Sequence, residues 1–425
     1  MTGLSDRILR DGALRIEGSR IVDVGNSSDL LARYADDCRL DAEGMLILPG
    51  LVSAHTHLYQ VMGRGLPYLV TGVPGRWRRY AGALDYEDIR YSTLLGCIEA
   101  IRSGTTTLFD QHLSPAGIPY ALDAIAEAVL QAGVRACLSY AVSDTEGALA
   151  ANNAIQENIR FARRIASEPT LAAMMGLESS HSLSDETMAA AVGAAAVAGI
   201  GFHINVIRDA IDLRETEAKY SVRVIERLRR FGILGPRTLA VYCTRLLPAE
   251  IESLQRSGTW VAHCPRSSTL HGLELPPVAE LLRRRVPVCL GTDTMNLDLF
   301  DEMQTAYLLH QHHPGDPRAL DPAGLLRMTW EYGGALAARV FGQKLGRIER
   351  GAQADVILVR SPLAGFAEME NLASYFILGL GHAHVDTTIV AGRVLMRHSI
   401  LRNLDESMIV ANATERLRRL QEQLA

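Results

Sequence analysis

Two histidines separated by one residue are the clearest sign of chemistry in this 425-residue chain. His55 and His57 follow an apolar run and a Pro49–Gly50 turn, and alternate residues at a strand end project to the same side. Neutral imidazoles so placed can hold a borderline-soft cation such as Zn2+. The motif predicts a metal site, although chance pairs and satisfied surface histidines give the same spacing.

A single carboxylate follows a second apolar run much later in the chain. Asp293 comes directly after residues 288–292, and burying a carboxylate without a partner is costly. A bound metal ion would satisfy this carboxylate, and so would a role in accepting protons. We expect Asp293 to be a metal ligand, a general base or both, with an N-cap or loop role as the alternative.

The elements that must position these residues alternate between strand and helix. Short apolar runs predict strands at 46–53, 104–110, 134–142, 170–177, 200–207, 238–243, 259–264 and 286–291. Helical periodicity predicts helices near 86–102, 117–132, 147–166, 184–198, 214–231, 248–257, 276–284 and 298–313. Eight such units favour an α/β fold of the (β/α)8 TIM-barrel type over a doubly wound sheet, with function at the carboxyl ends of the strands.

The two chain ends differ from the middle because residues 8–48 and 346–400 are β-rich. We expect residues 1–48 and 346–425 to form one small composite β-sandwich domain beside a catalytic barrel of residues 49–345. Strands are expected at 21–25, 354–359 and 387–396, and a charged amphipathic helix at 404–424.

Composition excludes several classes of partner. A net charge of −5 and the absence of a basic tail argue against nucleic acid. Residues 188–207 are apolar but interrupted by Gly199 and Gly201, which predicts a buried helix and strand and no membrane span. Six cysteines occur singly within apolar runs, and the N-terminus lacks the features of a signal peptide. We expect buried thiols, a cytoplasmic location, a small-molecule substrate and a homo-oligomer, with the homodimer as its expected form.

Longer motifs add a family resemblance. They are residues 48–60, Gly104–Thr107 with Asp110 and His112, His263–Ser267, Gly291–Asp293, Met175–Leu177 with Leu183–Thr187, Leu309–His313, and Asp386–Ile389. Over essentially the whole chain these motifs resemble the amidohydrolase superfamily, within it the cytosine deaminase and triazine hydrolase group, and most closely aminohydrolases of the SsnA type.

The resemblance implies one divalent metal, zinc or iron, at the barrel mouth. His55 and His57 match the family's ligands from strand 1, and Asp293 matches the ligand from strand 8. In the family a metal-bound water attacks a trigonal carbon, the strand 8 carboxylate acts as base, and a glutamate after strand 5 shuttles the proton.

The chain departs from the family pattern at four positions near the strand ends. Strand 5 normally ends His-x-His-x-x-Glu, but here Asn205 replaces the ligand histidine and Arg208 replaces the glutamate. Tyr242 stands where strand 6 normally ends in histidine, and Glu178 replaces a strand 4 histidine of related aminohydrolases. Asparagine is a poor zinc ligand, and arginine cannot shuttle protons near neutral pH. We therefore expect the metal to be weakly held or absent.

The leading hypothesis is an amidohydrolase-type enzyme acting on a small nitrogen-rich, heterocyclic or anionic molecule by C–N hydrolysis, elimination or cyclisation. Its expected catalytic groups are Asp293, Glu178 and Tyr242, and its expected substrate-binding groups are Gln60, His112, Arg208, Asn205 and His203. Two alternatives remain open: a metal-free acid–base enzyme with Arg208 as anion clamp, and a non-catalytic barrel. An internal ion pair with Glu178 is the structural alternative for Arg208.

Weaker candidates lie outside these strand ends. His310, His312 and His313 lie on a predicted helix and are interpreted as surface or helix-end residues. Trp77, flanked by arginines, lies in the long segment after strand 1 and is interpreted as part of a lid or of a subunit contact.

Overall fold

The beginning of the chain forms a hairpin and one strand of a larger sheet. The computed structural model describes residues 8–66, 75–115, 119–312, 320–361 and 369–425. The first elements are β1 (Gly12–Glu17), β2 (Arg20–Asn26), helix α1 (Ser27–Arg33) and β3 (Leu46–Pro49). Residues 8–48 are therefore β-rich as predicted, with α1 as an unpredicted helix.

The middle of the chain forms a parallel barrel. Its strands are β4 (Leu51–Thr56), β5 (Thr105–His112), β6 (Arg135–Val142), the pair β7 (Leu171–Ala173) and β8 (Met175–Leu177), β9 (Phe202–Val206), β10 (Thr238–Tyr242), β11 (Trp260–His263) and β12 (Val288–Leu290). Each strand pairs in parallel with its neighbour in the sequence, β7 and β8 together forming the fourth unit. A parallel bridge between Thr56 and Asp293 joins the last unit to the first. The predicted (β/α)8 barrel is confirmed.

Closure of the barrel depends on one glycine. A Cβ at Gly291 would lie 2.9 Å from the His55 Cβ atom and 3.0 Å from the Cys264 sulfur. Those separations are too short for ordinary contacts, so only glycine allows the end of β12 to approach β4 this closely. The two metal-type histidines and Asp293 thereby reach the same place.

Helices surround the barrel. They are α2 (Arg76–Ala83), α3 (Tyr86–Arg102), α4 (Ala121–Ala132), α5 (Ala148–Arg164), α6 (Asp185–Ala198), α7 (Ala210–Tyr220), α8 (Val224–Arg230), α9 (Pro248–Ser257), α10 (Pro265–Leu270), α11 (Val278–Arg283) and α12 (Leu299–His312). The prediction of one helix over 214–231 is wrong. The Asp209 side chain caps an earlier start, and Ser221, with φ of 55°, separates α7 from α8.

The end of the chain completes the second sheet. Its elements are α13 (Pro322–Leu326), the π-helical turn Arg327–Tyr332, α14 (Gly333–Phe341), β13 (Val356–Val359), α15 (Met369–Leu378), β14 (Val385–Val390), β15 (Arg393–Arg397), β16 (Ile400–Leu401) and α16 (Glu406–Leu424). Strands β16, β15, β14, β13 and β3 form one antiparallel sheet in that order. Helix α15 interrupts the β-rich pattern expected over 346–400.

The two antiparallel sheets share a small apolar core. Ile21 from the β1–β2 hairpin packs with Val356 and Ile389 from the five-stranded sheet. The predicted β-sandwich built from both chain ends is confirmed. Arg135 at the start of β6 binds both carboxylate oxygens of Asp355 at 2.9 and 3.3 Å, which ties the sandwich to the barrel.

Two further expectations can be compared with the structure. Five cysteines are buried, but Cys38 is exposed in the polar stretch between α1 and β3, so the expectation of six buried thiols is wrong there. No helix among the described residues combines the length and apolarity that a membrane span requires.

Candidate metal centre and active site

Three donor atoms converge at the seam between β4 and β12. The ligand-type atoms of His55, His57 and Asp293 all lie within 4.8 Å of one another. Oδ1 of Asp293 lies 3.2 Å from Nε2 of His57 and 3.9 Å from Nε2 of His55. The two histidines come from the end of β4 and Asp293 from the residues after β12. The fold therefore brings together the three residues predicted as metal ligands, which are called the metal corner below.

A buried chain of side chains orients His55. Nδ1 of His55 lies 2.8 Å from Nε2 of His203, and Nδ1 of His203 lies 3.3 Å from the hydroxyl of Ser139. Burial, together with the nearby charge of His57, lowers the pKa of His203 to about 3 and that of His55 well below its ordinary value. Neutral His55 therefore presents Nε2, which is buried and has no hydrogen-bond partner, to the corner.

His57 is oriented by the neighbouring strand. Its Nδ1 donates to the main-chain carbonyl of Gln111 at 2.6 Å, which leaves Nε2 directed at Asp293. The amide of Gln111 itself donates to the carbonyls of Leu177 and His203, at 3.0 and 2.9 Å. Gln111 thus links three strands below the site. Burial opposes charge on His57, but the Asp293 carboxylate outweighs this effect and raises its pKa.

Two hydroxyl groups hold the carboxylate of Asp293. The phenol of Tyr242 and the hydroxyl of Ser267 both donate to Oδ2, the latter at 2.6 Å. Burial raises the pKa of the Tyr242 phenol well above its ordinary value, and the adjacent carboxylate raises it further, so the phenol stays protonated. Burial also opposes ionisation of Asp293, but His57, His55 and Arg208 outweigh it and hold its pKa well below the usual range.

These residues fit a divalent cation. Zinc bonds of about 2.0–2.2 Å in a tetrahedral site place ligand atoms about 3.3–3.6 Å apart. The distances from Asp293 Oδ1 to the two Nε2 atoms, 3.2 and 3.9 Å, lie on either side of this range. Both histidines have their Nδ1 atoms engaged, so their Nε2 atoms are free to bind a metal, as in sites where a second hydrogen bond fixes the tautomer. The unpartnered Nε2 of His55 is the kind of buried polar atom that a cation would satisfy.

The replaced strand 5 residues lie at the carboxyl end of β9, and together with Tyr242 and Asp293 they form the group of residues called the pocket below. Asn205 has a buried Oδ1 with no hydrogen-bond partner, and so does not reproduce the missing imidazole. Arg208 lies beyond the end of β9, with its guanidinium carbon 5.6 Å from the centre of the Tyr242 ring. The three altered positions, Asn205, Arg208 and Tyr242, are thus neighbours on adjacent strand ends.

Glu178 does not pair with Arg208, the partner considered for it from the sequence. It pairs with Arg78 of α2, which also pairs with Glu146 in the loop after β6. The internal pair between Glu178 and Arg208 is therefore not formed. Oε2 of Glu178 is buried and unpartnered.

Two expected substrate contacts are deeply buried. Gln60 donates to the Tyr59 hydroxyl at 2.8 Å and keeps an unpartnered Oε1. His112 is fully buried, with Nε2 at 2.7 Å from the Ser114 hydroxyl and its ring edge against Tyr59 and Tyr140. Burial lowers the pKa of His112 to about 3, so it is neutral.

The weaker candidates divide between surface and core. His312 is exposed as expected, whereas His310 is buried with Nε2 at 3.4 Å from that of His263, so its surface interpretation is wrong. His313 lies outside the described residues. Trp77 contacts Tyr80 edge-on within α2, the helix that Arg78 connects to the loops after β6 and β8.

Several residues of the site were not among the predicted ones. The Ser267 hydroxyl donates to Asp293, and the main-chain carbonyl of Gln111 accepts from His57. The Ser139 hydroxyl lies next to His203, which in turn contacts His55. Arg64 binds the carbonyls of Thr294 and Met295 at 2.9 and 2.6 Å, which holds the loop after Asp293. Gln111 and Ser139 are polar residues inside buried strands, and this feature of the sequence could have indicated that they belong to the site.

Comparison with known families decides the classification. Residues 46–395 match the model of the Amidohydrolase family, which covers most of the chain. The chain belongs to the amidohydrolase family. The predicted membership is confirmed, and with it the prediction of an amidohydrolase-type hydrolase.

Curated amidohydrolase relatives match nearly end to end. A 5-methylthioadenosine/S-adenosylhomocysteine deaminase from Pelotomaculum thermopropionicum is 32% identical, over 98% of this chain and 95% of its own. A 5'-deoxyadenosine deaminase from Methanosarcina mazei is 31% identical, over 95% of this chain and 92% of its own. These amidohydrolases are named as deaminases of adenosine-like molecules.

Solved amidohydrolase structures agree in fold. An adenosine deaminase from Xanthomonas campestris with bound zinc has a TM-score of 0.88 and 26% identity, over 97% of this chain and 94% of its own. A mutant atrazine chlorohydrolase from Arthrobacter aurescens TC1, complexed with zinc and atraton, has a TM-score of 0.82 and 23% identity, over 96% of both chains. The second likeness shows the fold alone. Zinc in the first of these structures and the His55, His57 and Asp293 group support a divalent metal in this protein.

Proposed function

We propose that this amidohydrolase hydrolyses a C–N bond of a small nitrogen-rich molecule with a zinc ion held by His55, His57 and Asp293. The observation that carries the proposal is the convergence of two oriented imidazole nitrogens and one carboxylate oxygen within 4.8 Å. The curated relatives, named as deaminases of adenosine-like molecules, support a nitrogen-rich heterocycle as the substrate.

A zinc ion bound there supplies Lewis acidity, which polarises the scissile bond and lowers the pKa of water. Nitrogen and oxygen donors of this kind also suit iron, so metal analysis must identify the element. Asn205 does not supply the missing imidazole, so His55, His57 and Asp293 would hold the ion with fewer strong ligands than the family pattern provides.

Asp293 is the proposed proton acceptor. Its Oδ2 is held by Tyr242 and Ser267, so Oδ1 remains as the oxygen facing the two histidines. A carboxylate fixed in this way can take a proton from an attacking water without first reorienting. Tyr242 stays protonated and stabilises negative charge on Asp293 through its hydrogen bond.

The remaining expected residues fall into two groups. Glu178, Gln60 and Asn205 each keep a buried oxygen without a donor, which is what a substrate rich in N–H groups would satisfy. His203 and His112 are engaged inside the core, and His203 contacts His55 directly. We therefore propose that His203 positions a metal ligand and does not touch the substrate.

Metal analysis combined with a turnover assay tests the proposal. Protein purified without chelators is analysed for zinc and iron, and ammonia release is followed with a panel of amino-substituted heterocycles before and after metal loading. The proposal expects metal-dependent turnover that the His57→Ala variant loses. Turnover unaffected by removal of all metal would favour the metal-free alternative, and no turnover by loaded protein would favour a binding protein.

A further inference from the structure

The guanidinium of Arg208 lies beside Tyr242 and pairs with no carboxylate of the described residues. Arg208 is partly exposed, but its Nε is shielded from solvent and donates to no described atom. None of the ion pairs among the described residues includes Arg208. A partly buried guanidinium with an unsatisfied N–H favours an anionic partner, which would bind beside the Tyr242 ring that Arg208 contacts.

The carboxylates near Arg208 form hydrogen bonds or ion pairs with other residues. Asp209 accepts hydrogen bonds from the main-chain N–H groups of Ile211 and Asp212, and Asp212 binds His181 and the N–H of Ile207. Glu178 pairs with Arg78, and Asp293 accepts from Tyr242 and Ser267. Asp209 and Asp293 are close enough to stabilise the charge of Arg208 electrostatically, but neither pairs with it. The described part of the chain therefore supplies no carboxylate that pairs with Arg208.

A strained turn presents Arg208 to the pocket. The preceding residue, Ile207, has φ of 46°, a left-handed conformation that β-branched side chains rarely adopt. Three hydrogen bonds hold it: its N–H donates to Asp212 Oδ2 at 2.7 Å, and its carbonyl accepts from the Thr244 N–H and hydroxyl at 3.2 and 2.7 Å. Strain maintained by surrounding contacts is typical of functional positions.

We propose that Arg208 binds a carboxylate group of the substrate, so that the substrate is a small nitrogen-rich carboxylic acid. The proposal rests on the function proposed above for the same pocket. One planar guanidinium edge matches a carboxylate through two parallel hydrogen bonds. The negative charge of Asp293 in the same pocket disfavours a phosphate dianion. The unpartnered Oδ1 of Asn205, three residues earlier, accepts a hydrogen bond from a substrate N–H.

Binding measurements with matched ligand pairs test this inference without requiring turnover. Calorimetric titrations use the purified full-length protein with pyrazine-2-carboxylate against pyrazinamide, orotate against uracil, and inorganic phosphate alone. The variants are Arg208→Met and Arg208→Lys. Arg229→Met, which removes an exposed arginine of α8, is the matched control for net charge.

We expect the carboxylates to bind and the neutral ligands and phosphate to bind much more weakly. Arg208→Met should weaken carboxylate binding on the order of 10- to 100-fold, as expected for a lost charge-assisted hydrogen bond, without lowering Tm. Arg208→Lys should weaken it less, and Arg229→Met should leave it unchanged.

Four results would overturn the inference: equal binding of carboxylate and neutral ligand, no carboxylate binding, Arg208-dependent binding of phosphate alone, or normal carboxylate binding by Arg208→Met. Titrations repeated after chelation separate this inference from the proposed function. Carboxylate binding that needs Arg208 but no metal supports the inference even if no hydrolysis is found. Metal-dependent hydrolysis of neutral substrates alone would support the function and refute the inference.

Discussion

Tyr242 donates a hydrogen bond to Oδ2 of Asp293, while Oδ1 of the same carboxylate lies 3.2 Å from Nε2 of His57. The two oxygens therefore have separate surroundings, one made of hydroxyl groups and one made of imidazoles. This division follows from placing tyrosine at the end of β10, where the family pattern has a histidine.

Removal of the Tyr242 hydroxyl should impair activity more than folding. In Tyr242→Phe the carboxylate keeps Ser267 but loses one hydrogen bond to a charged group, which is worth about 1.5–3 kcal/mol. We expect kcat to fall about 10- to 100-fold. Tyr220→Phe is the control, because it removes a hydroxyl that binds the Leu183 carbonyl away from the site. Equal loss of kcat in both variants would contradict the prediction.

Restoring the missing imidazole should tighten metal binding. Asn205→His adds a nitrogen donor beside the three-residue corner, and we expect the metal dissociation constant to fall at least about 10-fold. Competition with a chelator measures the change, and Asn205→Ala is the control that removes the amide without adding a ligand. The premise of weak binding is wrong if the unaltered protein retains a full equivalent of zinc after mild chelation.

Deamination of cytosine, guanine, adenosine and 5'-deoxyadenosine should be absent or very slow. Loss of a positioned acid–base group costs about 100- to 10,000-fold, and Arg208 cannot replace the family's glutamate. Ammonia release at saturating metal measures this directly. The combined variant Asn205→His, Arg208→Glu, Tyr242→His should release ammonia faster than the unaltered protein. Robust ammonia release by the unaltered protein would show that other groups carry the proton.

Arg135 and Asp355 should contribute to stability through a buried ion pair. Both side chains are almost inaccessible, so Arg135→Met leaves an uncompensated carboxylate and should cost about 3–5 kcal/mol in the free energy of unfolding. The double variant Arg135→Met, Asp355→Leu should recover part of that loss. Urea unfolding of the three proteins provides the comparison, and a double variant less stable than Arg135→Met would argue against the ion pair as the cause.

The contribution of His181 to stability should depend on pH. Its hydrogen bond to Asp212 raises the pKa of the imidazole above the value of about 6.5 for the unfolded chain. The stabilisation is therefore complete below about pH 6.5 and is lost as pH rises through the folded-state pKa. The Tm difference between the unaltered protein and His181→Gln should be larger at pH 5.5 than at pH 9. In the Asp212→Asn background this pH dependence should disappear.

The positions of the strand ends could be predicted from the sequence because polar residues there interrupt otherwise apolar runs. Asp293 and Tyr242 were located in this way, and their side chains do contact each other. The partner of Glu178 could not be predicted, because Arg78 reaches it from a helix 100 residues earlier in the chain. The break between α7 and α8 was also missed, because Ser221 alone gives no strong signal for a left-handed residue.

The bridge between Thr56 and Asp293 has a consequence for how the protein matures on the ribosome. Both histidines are synthesised early, but Asp293 and the residues that close the barrel emerge more than 200 residues later. Strand β3, which directly precedes them, has β13 at Val356–Val359 as its only partner strand in the described ranges. A nascent chain therefore carries two of the three residues of its metal corner next to an unpaired strand edge through most of translation, and the corner is complete only once Asp293 has joined them.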